Sequence, residues 1–215
     1  MSDVSARTWG RGVLLVVAGP SGVGKGTLIA GLRERHPEIE WSVSCTTRAP
    51  RPGEVDGEDY HFISREEFLK MAREGGLLEW ALVHGSNLYG TPRAPVEEAL
   101  AAGRDIVIEI DYQGARSMRA ALPEAVTVFV APPSVATLRE RLLGRNTESA
   151  DTVERRLRTA GTEFEHIAMF QYTIVNDDLE TGIGELQAIF SAVKQRTMRR
   201  DWRGFQRQLL DDLEA

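Results

Sequence analysis

The sequence predicts an α/β fold in which a mainly parallel sheet carries helices on both faces. Short apolar runs typical of buried strands occur at residues 13–18, 105–110, 126–131 and 172–175. Segments with helical spacing of their apolar residues separate these runs, and strands that alternate with helices imply parallel pairing. Between the first two runs the pattern changes to short β-like pieces and Gly and Pro turns, so we expect an inserted lobe there.

The first half of the chain begins with a strand, a glycine-rich loop and a helix. The strand is the valine-rich run at residues 13–18, and the apolar spacing that follows the loop predicts a helix over residues 27–35. The inserted lobe comes next, with one helix expected over residues 65–74. Its β-like pieces are expected at residues 41–45, 59–63 and 77–83.

The second half returns to alternating helices and strands. Helices are expected at residues 96–102 and 134–143, and one or two more over residues 180–215. Residues 141–158 are rich in arginine and lie between helical segments, which is typical of a mobile flap. The predicted division is a core of residues 13–43 and 96–195, an inserted lobe of residues 44–95, a lid of residues 141–158 within the core and a helical tail of residues 196–215.

Composition excludes several classes of protein. The chain has 215 residues, of which 42% are hydrophobic and 27% charged, and no apolar run approaches the length of a membrane span. The net charge of −6 argues against a general nucleic-acid binder. The lone Cys45 rules out an internal disulfide and a cysteine-built metal site. With no secretory signal recognisable at the N-terminus, we expect a cytoplasmic protein with neither a membrane nor a nucleic-acid partner.

Residues 19–27, Gly-Pro-Ser-Gly-Val-Gly-Lys-Gly-Thr, have the sequence of a phosphate-binding loop. In such a loop the glycines let backbone N–H groups converge on the phosphates, the lysine reaches the β and γ groups, and the following helix adds its dipole. The loop also follows a predicted strand and opens a predicted helix, as this motif requires. The expected nucleoside triphosphate site consists of Gly19, Pro20, Ser21, Gly22, Val23, Gly24, Lys25, Gly26 and Thr27.

One departure from the common loop concerns the metal ion. The common form places Ser or Thr directly after the lysine to bind Mg²⁺, whereas here Gly26 holds that position and Thr27 follows. The Mg²⁺ ion that accompanies ATP therefore has no assigned protein ligand. Thr27 is a candidate, either directly or through water, because Mg²⁺ keeps several of its waters when it binds.

A second anion site is suggested by Arg48 and Arg51, which flank Pro50. Two guanidinium groups so placed can grip one phosphate, and Tyr60 and Tyr89 each offer a phenolic donor. A surface turn with solvated arginines is the alternative for this segment taken alone.

The motifs of this chain, taken together, resemble those of bacterial and eukaryotic guanylate kinases. In the family's order they are Gly-Pro-Ser-Gly-Val-Gly-Lys (19–25), Ser-x-Thr-Thr-Arg-x-Pro-Arg-x-Gly-Glu (44–54), Asp-Tyr-x-Phe (59–62), Leu-Glu-Trp-Ala (78–81), Tyr-Gly-Thr (89–91), Glu-Ile-Asp-x-Gln-Gly (109–114), Ala-Pro-Pro-Ser (131–134) and Val-Asn-Asp-Asp (175–178). The resemblance covers about residues 13–195. It implies the P-loop nucleoside monophosphate kinase fold, with a GMP-binding lobe and an arginine-rich lid.

The resemblance also implies how GMP would be bound. Its phosphate would be held by Arg48, Arg51, Tyr60 and Tyr89, and its guanine would be recognised by Ser44, Glu79 and Thr91. Guanine donates from N1 and N2, which suits the Glu79 carboxylate, and accepts at O6, which suits a hydroxyl. Adenine has no N1–H donor, so Glu79 is expected to carry much of the discrimination.

Further roles rest on the resemblance alone. Glu109 and Asp111 would position GMP or its hydration shell, including Mg²⁺, and Asn176 would lie by the adenine. The lid arginines that would act on the transferred group are Arg141, Arg145 and Arg156. Arginines on charged helices commonly only solvate a face, which is the alternative for these three.

The implied reaction is reversible phosphoryl transfer from MgATP to GMP, giving ADP and GDP in purine nucleotide metabolism, with dGMP as a second acceptor. Lys25, Mg²⁺ and the lid arginines would supply the positive charge. Asp111 is also expected among the catalytic residues. A phosphopeptide-binding module related to guanylate kinases is one alternative, but it would lack an intact triphosphate loop. A ribose bisphosphate kinase would have no use for Glu79, and an adenylate kinase shares the Gly-Lys-Gly-Thr end of the loop. The oligomeric state is not indicated.

Overall fold

The computed structural model describes residues 12–83, 87–144, 150–196 and 202–214. Its strands are β1 (Leu14–Ala18), β2 (Glu40–Trp41), β3 (Cys45–Thr46), β4 (His61–Phe62), β5 (Leu77–Val83), β6 (Asn87–Pro92), β7 (Ile106–Glu109), β8 (Val126–Ala131) and β9 (Tyr172–Val175). Its helices are α1 (Lys25–Arg35), α2 (Arg65–Arg73), α3 (Arg93–Ala101), α4 (Tyr112–Ala121), α5 (Val135–Leu143), α6 (Ala150–Phe164), α7 (Leu179–Lys194) and α8 (Arg203–Glu214). A 3₁₀ turn spans Ile167–Met169. None of the helices within the described ranges combines the length and apolar character that a membrane crossing requires.

The larger sheet has five strands in the order β2-β7-β1-β8-β9, and all of its neighbouring strands are parallel. Its central strand β1 is buried along its whole length, which explains the unbroken apolar run in the sequence. Successive side chains of β1 alternate between the two faces: Leu15 and Val17 pack into one core cluster, and Leu14 and Val16 into another. The prediction of a mainly parallel sheet is confirmed.

Helices cover both faces of this sheet, as predicted. On one face the core includes Leu32 of α1 and Phe190 of α7, together with residues of α5 and α6. On the other face Leu100 of α3 and Met118 of α4 are fully buried against the strands. Because the carboxyl ends of all five strands meet at one edge, the segments that follow β1, β7 and β9 are brought together there.

A second sheet, in the order β4-β3-β6-β5, forms within the predicted lobe. Phe68 of α2 is its fully buried anchor and packs with Cys45, Leu77 and Leu88. The prediction of one β-like piece over residues 41–45 is wrong, because β2 pairs with β7 in the large sheet whereas β3 belongs to the small one. The chain passes from one sheet to the other between these two short strands.

Two helices and one strand depart from the sequence expectations. The pattern of apolar residues does not single out α4 or β6, and α6 covers part of the segment interpreted as a flap. The buried residues of α4 are Gly114, Ala115 and Met118, so only one large apolar side chain marks its buried face in the sequence. In α6 the dense arginines hide a helical stripe that includes the buried Val153 and Ala160. The α8 helix lies within the predicted tail.

The Asp105 carboxylate, 5% exposed, ties the start of β1 to the end of α7. It accepts from Val13 N at 2.8 Å and from Lys194 Nζ at 2.6 Å. We expect Asp105→Ala to lower the free energy of unfolding by about 2–4 kcal/mol, because the buried Val13 N–H loses its acceptor and an ion pair is broken. Urea denaturation measures this change, with Glu185→Ala on the exposed side of α7 as the control. A loss below about 0.5 kcal/mol would be that of an ordinary surface substitution.

Candidate active site

The phosphate-binding loop runs from the end of β1 to the start of α1. Gly19 has φ +142°, and a Cβ built there would lie 2.3 Å from the Val130 carbonyl oxygen of β8. A side chain at this position would therefore push the loop away from the sheet. The loop is thus held against the carboxyl ends of two neighbouring strands, where α/β sheets bind ligands.

The Lys25 ammonium lies at the floor of the cleft that this loop borders. It donates to the carbonyl oxygens of Gly19 at 2.7 Å and Pro20 at 3.1 Å, and it lies 3.5 Å from Glu109 Oε1 at the end of β7. Only 10% of the Lys25 side chain is exposed. The lysine therefore links the loop to the segment that contains Glu109 and Asp111.

A single cleft of about 540 Å³ brings together most of the residues predicted for both substrates. From the triphosphate loop it is lined by Gly19, Ser21, Gly22, Gly24, Lys25, Gly26 and Thr27. From the predicted GMP residues it is lined by Ser44, Arg51, Tyr60, Glu79, Tyr89, Glu109 and Asp111. The predicted residues Pro20, Val23, Arg48, Thr91, Arg141 and Asn176 are not among those that line it.

Arg48 is held by an acid that the predicted clamp did not include. Its guanidinium donates to both carboxylate oxygens of Glu54, at 2.9 and 2.8 Å, and its Nε donates to the Tyr89 hydroxyl at 3.1 Å. This bidentate bond holds the pKa of Glu54 below its usual range. Arg51, in contrast, lines the cleft. The two arginines therefore play different parts: Arg48 is fixed by its neighbours, and Arg51 faces the ligand space.

The two predicted tyrosines stand together beside this clamp. The rings of Tyr60 and Tyr89 meet edge to face, with centroids 5.8 Å apart, and the Arg48 guanidinium lies 5.4 Å from the centre of the Tyr60 ring. Burial raises the pKa of Tyr60 to about 12, and the nearby Glu109 charge acts in the same direction. Tyr60 therefore keeps its phenolic proton, which leaves a hydrogen-bond donor beside the cleft.

Glu79 occupies a buried position on β5, with 6% of the residue exposed. Its Oε1 accepts from the Thr91 hydroxyl of β6 at 2.6 Å. A Cβ at Gly114, in the first turn of α4, would lie 2.6 Å from Oε2, so only glycine leaves room for this carboxylate. Burial raises the pKa of Glu79 to about 7, and the hydrogen bond from Thr91 opposes the rise.

The contact with Glu79 limits what Thr91 can offer a base. A hydroxyl has one hydrogen to donate and two lone pairs with which to accept. In this structure the hydrogen is given to Glu79, so Thr91 can meet another group only as an acceptor. The predicted contact of Thr91 with guanine O6 would need this hydrogen bond to change partner, and it stays a prediction.

The predicted lid arginines occupy different places. Arg156 of α6 lines the cleft and donates to Ser21 Oγ at 2.7 Å, so it faces the triphosphate loop. Arg141 lies at 3.4 Å from both the Val23 and Asp177 carbonyl oxygens, distances at which hydrogen bonds are weak. Arg145 is outside the described residues. Its role and that of Arg141 in transfer stay predictions.

The structure adds Glu163 to the cleft. This residue, 7% exposed, lies on α6 seven positions after Arg156 and four after Thr159, and all three line the cleft from the same side of the helix. Burial raises the pKa of Glu163 to about 7, with the Lys25 charge opposing the rise. The i, i+3, i+7 spacing is the signal in the sequence that marks this face, once the segment is known to be helical.

The predicted metal candidates are also placed at the cleft. Thr27 and Asp111 both line it, and Asp111 Oδ1 additionally caps α4 by accepting from Gly114 N at 2.8 Å. Within the described ranges there is no group of three or more His, Cys, Asp or Glu side chains arranged to hold a metal ion. The oxygen donors of Thr27 and Asp111 fit Mg²⁺ in kind, but the described residues at the cleft offer too few of them for an all-protein cage.

Comparison with known proteins identifies the family of this chain. The guanylate kinase family model matches residues 11–193. The guanylate kinase of Synechococcus sp. (strain CC9311) is 56% identical over 80% of this chain and 90% of the relative, and that of Rhodococcus jostii (strain RHA1) is 55% identical over 83% and 87%. The crystal structure of guanylate kinase from Anaplasma phagocytophilum superposes with a TM-score of 0.77 at 34% identity, covering 95% of this chain and 96% of that one. Since the family model spans most of the sequence and these relatives match over at least 80% of this chain, this chain belongs to the guanylate kinase family.

Proposed function

We propose that this chain transfers the γ-phosphoryl group of MgATP to GMP, giving ADP and GDP. The observation that carries this proposal is a single cleft that the triphosphate loop borders on one side and the buried Glu79 on the other. A phosphopeptide-binding module has no need of Lys25 at the floor of that cleft. A kinase for a sugar phosphate has no need of a buried carboxylate facing the acceptor.

On the ATP side of the cleft, the loop supplies backbone N–H groups and Lys25 supplies a positive charge on a flexible side chain. The ammonium now contacts the carbonyl oxygens of Gly19 and Pro20, and a short rotation of its flexible stem takes it to the β and γ phosphates. Arg156, placed at Ser21, adds a second cation from α6. Closure of α6 over the phosphates would also exclude water, which otherwise competes with GMP for the phosphoryl group.

On the acceptor side, the proposed roles follow from position and chemistry. Arg51, Tyr60 and Tyr89 line the cleft and would bind the GMP phosphate, with Arg48 completing this clamp from its ion pair with Glu54. Glu79 would accept from N1 and N2 of guanine, and Ser44, directly before β3, would meet the base as well. Since this set recognises base and phosphate, dGMP is expected to be accepted as well.

The attacking group in this reaction is already an anionic phosphate oxygen. Phosphoryl transfer of this kind needs alignment and charge neutralisation more than a strong base. Mg²⁺, when bound with ATP, would neutralise phosphate charge, and Thr27 and Asp111 are the residues placed to meet the ion or its waters. Glu109, at 3.5 Å from Lys25, would hold the ammonium in place until the phosphates arrive.

A coupled assay of ADP formation from ATP tests the proposal directly, with GMP, dGMP, AMP and ribose phosphates offered in parallel. Rapid turnover is expected with GMP and dGMP, and little with AMP or ribose phosphates. Faster turnover of AMP or of a ribose phosphate than of GMP would show that GMP is not the preferred acceptor. If the protein turns over none of the acceptors but binds phosphopeptides, it is a binding module and the proposed kinase activity is wrong.

Arg48→Ala is expected to raise the GMP KM by about 10- to 100-fold and to leave the ATP KM within about twofold, since a charged hydrogen bond to phosphate is lost on one side of the cleft only. Steady-state kinetics with each substrate varied gives both values. Glu54→Gln is the matched control, because it breaks the same ion pair and keeps the guanidinium. An unchanged GMP KM in Arg48→Ala, or equal effects of the two variants, would remove Arg48 from the clamp.

A further inference from the structure

The side chain of Asn176 holds the backbone of the triphosphate loop. Asn176 follows β9, is 5% exposed, and donates from Nδ2 to the Val23 carbonyl oxygen at 2.8 Å. Its own backbone N–H donates to the Ala131 carbonyl oxygen at 2.8 Å, which fixes its main chain to the end of β8. A contact between residues so far apart in the chain thus joins two strand ends to the loop.

The Val23 carbonyl oxygen needs this donor because helix α1 provides none. The helix begins at Lys25, and the first hydrogen bond of its ladder runs from Leu28 N to the Gly24 carbonyl oxygen at 3.0 Å. Among the described residues, Arg141 Nη1 at 3.4 Å is the other donor near the Val23 oxygen, and that distance is long. Asn176 therefore supplies the strong bond to a buried carbonyl group.

The Asn176 amide is confined on both of its faces by glycines. A Cβ at Gly24 would lie 2.5 Å from Nδ2, and a Cβ at Gly182 of α7 would lie 3.1 Å from Oδ1. Gly24 also has φ +99°, a conformation that disfavours other residues. The loop, the amide and α7 are thus fitted to one another at this point, and the amide has little freedom to turn.

Holding the Val23 carbonyl determines where the next N–H points. A trans peptide is planar, so its C=O and N–H groups point in opposite directions. With the Val23 carbonyl directed at Asn176, the Gly24 N–H is directed away from it. Gly24 lines the cleft, and its N–H has no hydrogen-bond acceptor within the described part of the chain.

We propose that Asn176 is a positioning residue that aims the Gly24 N–H at the phosphates of the bound nucleotide. The inference rests on the proposed function, because it assumes a triphosphate in the loop. Asn176 then acts on affinity for the phosphate chain through Val23 and Gly24, and this action does not require a contact with the base. The hydrogen bond from Asn176 is needed because residue 24 is a glycine. Without that bond the peptide between Val23 and Gly24 can flip at little steric cost.

The test is Asn176→Asp, which keeps the shape of the side chain and replaces the donor with an acceptor. An aspartate facing Val23 repels its carbonyl oxygen and favours a peptide turned so that the Gly24 N–H points at the carboxylate. Calorimetric titration with MgATP and with inorganic tripolyphosphate, which has no base, is expected to show both affinities reduced by about 10- to 100-fold. GMP affinity is expected to stay within about twofold, which also shows that the variant is folded.

Gln187→Glu on α7 is the matched control, because it adds the same charge to a neighbouring surface without facing the loop. Weaker ATP binding with unchanged tripolyphosphate binding would mean that Asn176 acts on the nucleoside, and would overturn the inference. Equal affinity of Asn176→Asp and the parent protein for both probes would overturn it as well. Failure of the parent protein itself to bind ATP would instead overturn the proposed function.

Discussion

Lys25→Met is expected to lower kcat by about 100- to 1,000-fold, the loss typical of removing one preorganised charge from a transition state. Lys25 combines a flexible stem with a position on the floor of the cleft, where it lies within 3.5 Å of the loop carbonyls and of Glu109. Methionine keeps the apolar stem and removes only the charge, so the loop should keep its shape. Steady-state kinetics measures the change, and the GMP KM is expected to stay within about threefold.

Two control variants test whether the effect of Lys25→Met comes from the lost interaction with the transferred phosphoryl group. Lys25→Arg keeps a positive charge but presents a planar fork that does not fit the same space, so little activity should return. Glu109→Gln removes the nearby negative charge while the ammonium remains, and a much smaller loss of kcat is expected from it. A Lys25→Met enzyme within tenfold of the parent kcat would show that the lysine only anchors the loop.

Glu79→Gln is expected to lower kcat/KM for GMP by about 100-fold and to narrow the preference for GMP over AMP by a similar factor. In the proposed complex the carboxylate would accept from both N1–H and N2–H of guanine, whereas a glutamine amide would accept with one oxygen and oppose a donor with its NH₂ group. Because Glu79 is buried against Thr91 and the Gly114 turn, water cannot replace the lost contact. Kinetics with GMP and AMP in the same assay gives the preference. An unchanged preference would mean that the base is recognised elsewhere.

Glu79 is also expected to make GMP binding depend on pH. Burial raises the pKa of Glu79 to about 7, and the proposed contact with guanine requires the ionised carboxylate. GMP affinity should therefore fall as the pH drops below about 7, by up to tenfold per pH unit. Calorimetry between about pH 5.5 and 8.5 measures this fall. The GMP phosphate and Glu163 titrate in the same range, but they affect the parent protein and the Glu79→Gln variant alike. The ratio of the GMP affinities of the two proteins therefore isolates the effect of Glu79. A ratio that does not change with pH would contradict the assignment.

The contribution of Glu79 to folding stability changes with pH in the opposite direction to that of a salt-bridged acid. The folded pKa of Glu79 lies above its ordinary value of 4.5, so the folded state binds more protons than the unfolded state between these two values. The contribution of Glu79 to stability is therefore largest below about pH 4.5 and is lost as the pH rises to about 7. Glu79→Gln should flatten this part of the curve of unfolding free energy against pH.

Some of the site depends on contacts that no local pattern encodes. Glu54 follows the predicted clamp within a few residues, but its bidentate bond to Arg48 depends on how the turn between them closes. Glu163 becomes a cleft residue only because α6 forms and lays one of its faces against the loop. Gly114 belongs to a recognised motif, yet its need for a small side chain follows from the Glu79 carboxylate far away in the chain.

The sequence by itself determined the triphosphate loop and the parallel core sheet, and it predicted the inserted lobe. Its resemblance to guanylate kinases, carried by short motifs, added the prediction of a GMP site beside the ATP site. These features are encoded locally, in glycine spacing, in apolar runs and in short motifs whose chemistry is visible residue by residue. Only the tertiary structure decided that Arg48 is fixed while Arg51 faces the cleft, that Thr91 gives its hydrogen to Glu79, and that Asn176 holds Val23. The physical reason is that a side chain's hydrogen-bond partner and its burial depend on distant strands meeting, and spacing along one chain does not specify which atoms then come within 3 Å.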